Sequence, residues 1–108
     1  VRANKLSRER FVEICSTNPA KIFGLYPQKG VIQPGSDADI VVFDGDKKVT
    51  VRLQDMHSNQ DFEIYEGEEF TGWPVLTLSR GEVIAENGMI LAEPGRGQLV
   101  KRKRHAEL

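Results

Sequence analysis

The sequence predicts a mainly β fold preceded by short helices, and three observations carry that reading. Residues 7–24 hold apolar side chains at helical spacing between recognisable start and stop signals. From Gly30 onward the apolar residues fall into short β-branched runs separated by turn residues. Near the C-terminal end, the pattern of run, turn and run repeats as it does in a meander, with Arg80-Gly81 and Asn87-Gly88 at the turns. Roughly five or six short strands are expected, in the arrangement of a partial β-sandwich.

Each element has its own signal. Ser7 is the expected N-cap of the first helix, with Glu9 at the positive end of the helix dipole and Phe11, Ile14 and Cys15 on one face. Arg10 stands where a capping box would want Glu or Gln. Asn18-Pro19 then predicts a break and a second start, because Asn caps well and proline suits the first helical position. Ala20, Ile22 and Phe23 give that second helix an apolar face, and Gly24 terminates it. Val31-Ile32 is a short apolar pair, followed by a turn at Pro34-Gly35-Ser36-Asp37. The unbroken run Ile40-Val41-Val42-Phe43 predicts a strand covered on both faces, ended by Asp44-Gly45. Val49, Val51 and Leu53 alternate with Thr50 and Arg52, as in a strand with one wet face. Residues 54–72 show no period and are acidic, so a long excursion is expected there. Strands at Val75–Ser79, Glu82–Ala85 and Met89–Leu91 complete the meander, and Pro94-Gly95-Arg96-Gly97 ends it.

Composition narrows the function. Fifteen basic residues nearly cancel sixteen acidic ones, leaving a formal net charge of -1. Nucleic-acid-binding domains carry a basic excess, so nucleic acid is excluded as the main partner. The single cysteine, Cys15, excludes an intrachain disulfide and a Cys-rich zinc site, and it suits a reducing cytoplasm. No run approaches the roughly 20 apolar residues that span a bilayer, and no apolar signal segment is present. The expectation is a cytoplasmic protein with no membrane partner. The chain starts at Val1 rather than Met, which hints at truncation. With 108 residues it buries a modest fraction of its surface, and one helical region is little cover for a two-faced sheet.

Few residues carry chemistry by themselves. His57 and His105 belong to no HxH or HExxH arrangement, so a structural or solvent-facing place is expected for both. His57 lies near Asp55 and Asp61, which leaves open a site shared with other chains. Asp37 and Asp39 could be imagined as an acid and base, but a turn rarely tunes carboxyl pKa values, and backbone capping is the expected role. Cys15 is expected in the core as a small apolar residue. Residues 94–98 lack the Gly-Lys-Ser/Thr ending of a phosphate loop. The run Lys101–Arg104 is expected to be a solvated tail or an arm on an acidic surface. Asn18 has two readings that the residues leave open: an N-cap, or a backbone turn presented to a ligand.

The stretch Ser16-Thr17-Asn18-Pro19-Ala20-Lys21-Ile22-Phe23-Gly24-Leu25-Tyr26-Pro27 resembles a segment of the hydantoinases and dihydropyrimidinases. Lys29-Gly30-Val31-Ile32 and Pro34-Gly35-Ser36-Asp37-Ala38-Asp39-Ile40-Val41-Val42-Phe43-Asp44 continue the likeness, which the wider amidohydrolases share. Tyr65-Glu66-Gly67, Gly72-Trp73-Pro74-Val75 and Ser79-Arg80-Gly81 resemble segments of the bacterial cyclic amidases, so the likeness runs from about Leu6 to Gln98.

The resemblance implies a C-terminal segment of an enzyme that opens cyclic amides with a (β/α)8 barrel and a binuclear divalent metal centre, zinc being the expected metal. Such metals supply hydroxide at neutral pH. The family's ligands (an HxH pair, a carboxylated lysine, two later histidines and an aspartate) have no matching motif here, so no catalytic residue, no metal ligand and no bound cofactor is expected in this segment. One site residue carries over: Asn18 matches the position that contacts the substrate ring through its backbone, while Ser16 and Thr17 match the motif without an assigned contact. The resemblance also divides the chain into residues 1–26, the last helical segment of the barrel; 27–98, the C-terminal part of the β-sandwich; and 99–108, a charged tail. The barrel itself is expected to lie outside this chain. The implied partners are the rest of the same enzyme (its barrel and N-terminal sandwich strands), further subunits of a homotetramer and a small cyclic amide. The rival readings are a non-enzymatic dihydropyrimidinase-like scaffold and a stand-alone interaction module with a basic tail.

Overall fold

The computed structural model describes residues 5–103. They form two compact units: a sheet unit, Ile40–Glu93, and a helical unit built from the residues on either side of it. The element order is α1 (Arg8–Val12), a π-helical turn (Glu13–Thr17), α2 (Asn18–Ile22), β1 (Ile40–Thr50), a 3-10 turn (Leu53–Asp55), β2 (Glu69–Ser79), β3 (Glu82–Glu86) and β4 (Met89–Ile90). The fold is mainly β. Among the described residues, no helix is long and apolar enough to cross a membrane.

The helical unit begins as expected. Ser7 is extended, at φ -71 and ψ 164, and its Oγ accepts the Arg10 N–H at 3.1 Å. The expected break at Asn18 is absent: Thr17 and Asn18 both have right-handed helical dihedrals, and Thr17 makes no side-chain cap. The reason is the wide turn ahead of Pro19. A proline ring inside a helix clashes with the carbonyl four residues back, here Cys15, and offers no N–H. Widening the turn accommodates the ring, and the Asn18 N–H reaches back to the Glu13 carbonyl. Two predicted helices are thus one helical run with a π turn, and Asn18 is not an N-cap.

The run stops at Gly24, at φ +68, where the Leu25 N–H bonds the Ala20 carbonyl at 2.8 Å and the Gly24 N–H bonds the Lys21 carbonyl at 3.1 Å. That pair of bonds is a Schellman ending. Cys15 is exposed, against the expectation of a core thiol, and Phe11 and Ile14 are 44% and 39% exposed. Their apolar face has no cover within the described residues. Val31-Ile32 forms no strand, and Ile32 is exposed. The expected turn is present, with the Ser36 N–H on the Gln33 carbonyl at 3.2 Å. The basic run is docked by its backbone, since the Lys103 N–H meets the Gly24 carbonyl at 2.8 Å. Arg104 and His105 lie outside the described residues.

The sheet unit is one open antiparallel sheet in the order β1-β2-β3-β4. Four strands replace the predicted five or six, because the runs before and after Asp44-Gly45 belong to one strand. Asp44 Oδ1 accepts the N–H groups of Asp46 and Lys47 at 2.9 and 3.3 Å, and the register jumps there from Asp44↔Trp73 to Lys48↔Thr71. The side chain thus caps a bulge, where a strand end was expected. A second register shift leaves Val75 of β2 unpaired next to Pro74, which has no N–H to give the ladder. Arg80-Gly81 and Asn87-Gly88 make the predicted tight turns with positive φ at all four residues.

The excursion between β1 and β2 is pinned at its base. Glu66 accepts the Leu53 N–H at 2.6 Å and Arg52 Nη1 at 3.3 Å, while Tyr65 meets Phe70 edge to face at 5.8 Å. Val51 is buried there. The expectation that Ile40–Phe43 is covered on both faces is not met within the described residues: Val41, Val42 and Phe43 are 57%, 43% and 55% exposed.

Candidate functional site

The sequence points to Asn18, and the structure places it directly after the π turn, as the first residue of α2 and half-buried. Pro19 cannot donate to the carbonyls of Ile14 or Cys15, so the helix loses a donor at this point. Wide turns of this kind recur at functional sites.

What holds the turn comes from farther along the chain. Thr17 Oγ1 donates to the Gly30 carbonyl at 2.8 Å, across 13 residues. Gly30 lies so close to the helix that a Cβ on it would stand 2.4 Å from Ala20 Cβ and 3.1 Å from the Ser16 carbonyl oxygen. Its φ of +83 is itself a glycine conformation. Ala20 is buried beneath it.

Gly30 is anchored in turn by Lys29, whose ammonium pairs with Asp37 at 2.8 Å and with Asp39. Gln28 Nε2 donates to Asp37 at 3.1 Å, and the Asp37 N–H closes the loop on the Gln28 carbonyl at 2.9 Å. Partial desolvation acts to lower the Lys29 pKa, but the hydrogen bonds and charges of the two aspartates outweigh it and raise the value above its ordinary 10.5. The hydrogen bond from Lys29, followed by that from Gln28, holds Asp37 below its ordinary 3.8. Asp37 and Asp39 therefore form a charged clamp around one lysine rather than an acid and base pair. Asp37 takes side-chain donors where backbone donors were expected.

The other candidates lie elsewhere. His57 belongs to the sheet unit, where its Nε2 is 2.8 Å from the Gly88 carbonyl. A carbonyl only accepts, so that nitrogen carries the proton and donates. Among the described residues, no three His, Cys, Asp or Glu side chains converge as metal ligands do. The donors among the described residues do not fit a binuclear metal centre.

Sequence reasoning gave Gly30 and Lys29 no role, and Thr17 matched the motif there without an assigned contact. Gly30 had a weak signal in its place after Lys29 at the start of a loop. The Thr17 bond had none, because nothing in local spacing pairs residues 13 apart.

Over most of its length the chain is similar to known proteins. It is 40% identical to a D-hydantoinase of Ralstonia pickettii over 107 residues, covering 99% of this chain and 23% of that protein. It is 45% identical to an L-hydantoinase of Paenarthrobacter aurescens over 105 residues, covering 97% of this chain and 23% of that protein. Its structure matches that of a dihydropyrimidinase from Brevibacillus agri with a TM-score of 0.94 at 42% identity, covering 99% of this chain and 23% of that one. The chain thus spans about a quarter of the length of these relatives. Residues 1–84 match the amidohydrolase family, to which the chain therefore belongs.

Proposed function

We propose that this chain is the C-terminal part of a metal-dependent cyclic-amide hydrolase that opens hydantoin or dihydropyrimidine rings. The observation that carries the proposal is the likeness to a dihydropyrimidinase structure over 99% of the chain at 42% identity. The chain itself has a structural role. Residues 1–26 supply the last helical segment of a catalytic barrel, 27–98 the C-terminal part of a β-sandwich, and 99–108 a tail. Asn18 meets the substrate ring through its backbone at the π turn. The barrel, the N-terminal sandwich strands and a binuclear divalent metal, expected to be zinc, come from the rest of the enzyme, which assembles as a cytoplasmic homotetramer. The uncovered apolar side chains of β1 support a partner of this kind, since a sheet needs material on both faces.

The test joins two measurements on the source polypeptide: its intact mass, and its hydrolysis of dihydrouracil and hydantoin with and without a chelator. A mass several times 12.1 kDa with chelator-sensitive ring opening supports the proposal. A large protein that opens neither ring turns the reading to the scaffold alternative. Ring opening by a 12.1 kDa chain overturns the structural role assigned here.

A further inference from the structure

We propose that Thr17 and Gly30 are positioning residues, a lock that fixes the backbone of the Asn18 turn against the loop 28–39. The inference rests on the reading of Asn18 as a substrate contact and assigns what sets its geometry.

Three observations meet at this point. The π turn Glu13–Thr17 is wider than an α-helical turn and has Pro19 behind it, so it lacks the full ladder of bonds that makes a helix rigid. Thr17 Oγ1 crosses from that turn to the Gly30 carbonyl at 2.8 Å in a half-buried setting. The acceptor is itself immobilised. Gly30 is seated so closely that a Cβ would overlap Ala20 Cβ at 2.4 Å and crowd the Ser16 carbonyl oxygen and the Thr17 Cα at 3.1 and 3.3 Å. Behind it, Lys29 is held by Asp37 and Asp39, and Ser36 Oγ closes the same loop by donating to the Pro27 carbonyl at 2.7 Å.

A hydroxyl on a soft turn bonded to a fixed carbonyl transfers the loop's rigidity to the turn. Thr17 precedes Asn18 directly, so the peptide that a ring amide would meet is the one the lock holds. Pre-set backbone polar groups bind without having to be ordered first, which is why their loss is read in substrate binding. Thr17 need not touch the substrate for this effect.

The test uses the whole protein and the variants Thr17→Val, which keeps the shape and removes the hydroxyl, and Thr17→Ser, which keeps the hydroxyl. The expected result is a KM for dihydrouracil and hydantoin raised about threefold to tenfold in Thr17→Val, the scale of one intramolecular hydrogen bond. The kcat should stay within about twofold, bound metal should be unchanged, and Thr17→Ser should restore KM. An unchanged KM in Thr17→Val, or no rescue by Thr17→Ser, overturns the lock. Should Thr17→Val fail to fold, Asp37→Asn loosens the loop from the other side and is expected to raise KM about twofold, in keeping with a partly exposed ion pair; an unchanged KM there counts against the lock. A parent protein that opens neither ring removes the substrate reading of Asn18 but leaves the lock testable. Amide exchange at Asn18 should then be faster in Thr17→Val than in Thr17→Ser, and equal rates overturn it.

Discussion

Gly30 has little conformational freedom. An alanine there would have to hold φ at +83 and push its Cβ to 2.4 Å from Ala20 Cβ. The left-handed backbone costs about 1–2 kcal/mol and the overpacking about 1–3 kcal/mol. Gly30→Ala should therefore lower stability by at least about 2 kcal/mol, read as a smaller urea midpoint with little change in slope. The clamp beside it makes a pH prediction. Asp37 is held below 3.8 in the folded chain, so its contribution is complete above that value and is lost as pH falls through the folded pKa. Lys29 is held above 10.5, so its contribution is complete below that value and is lost as pH rises through the folded pKa. Asp37→Asn should leave a chain less stable at neutral pH whose urea midpoint falls less steeply below about pH 4 than that of the parent. Equal acid slopes in the two proteins would show that Asp37 is not linked to folding. Asn18 marks the limit of reading single residues from sequence. Asn-Pro is a good start signal, but the same pair is accommodated inside a helix once the turn ahead of it widens, and only the tertiary contact from Gly30 shows which outcome occurs.

At the scale of elements, the turns were the most legible part of the sequence, because their chemistry is local. Asn87-Gly88 adopts φ of +48 and +84 as that dipeptide demands, and the Asn87 N–H bonds the Val75 carbonyl at 2.9 Å. The same turn presents the Gly88 carbonyl to His57. Asn87→Ala should destabilise the hairpin by about 1–2 kcal/mol, the cost of a left-handed alanine, and should loosen His57 with it. Chemical denaturation together with the His57 ring resonances would check both effects, and an unchanged midpoint would refute the first. Strand boundaries were less legible. Asp44-Gly45 reads as the end of a strand, yet the Asp44 carboxylate folds the extra residues into a bulge and β1 continues to Thr50. A local Asx turn has the same sequence whether a strand resumes after it or not. The pairing partner decides, and here it is β2 running from Glu69 to Ser79. Gly72 is part of that decision, because the Phe43 ring lies where its Cβ would be, 2.9 Å from the nearest ring atom, and its φ is +96. Pairing of this kind, like the Thr17–Gly30 bond, joins residues whose relation only the fold creates. Asn18, by contrast, was singled out by a local motif, although the helix break expected there is absent.

For the molecule as a whole, the question is where the hydrophobic effect acts. Among the described residues, the buried hydrophobic set is Ala20 and Val51, while Phe23, Val41, Phe43, Phe62 and Ile64 are all more than half exposed. Burying an aliphatic or aromatic side chain is worth roughly 1.5–3 kcal/mol, so a chain that leaves this many in water forgoes most of its driving force for folding. Hydrogen bonds and turn chemistry specify the sheet, but they do not replace that term. The formal net charge of -1 gives little repulsion to keep apolar surfaces of separate copies apart. Expressed by itself, the 108-residue chain should therefore bind a hydrophobic dye strongly, melt over a broad range and associate as its concentration rises. Within the whole protein the same residues, Val41 and Phe43 among them, should be protected from solvent labelling. A chain that remains monomeric alone, leaves the dye unbound and melts in one sharp transition would show that these faces need no partner. That result would remove the physical support for a composite sandwich while leaving the family membership intact, because that membership rests on the sequence match and does not depend on what covers the sheet.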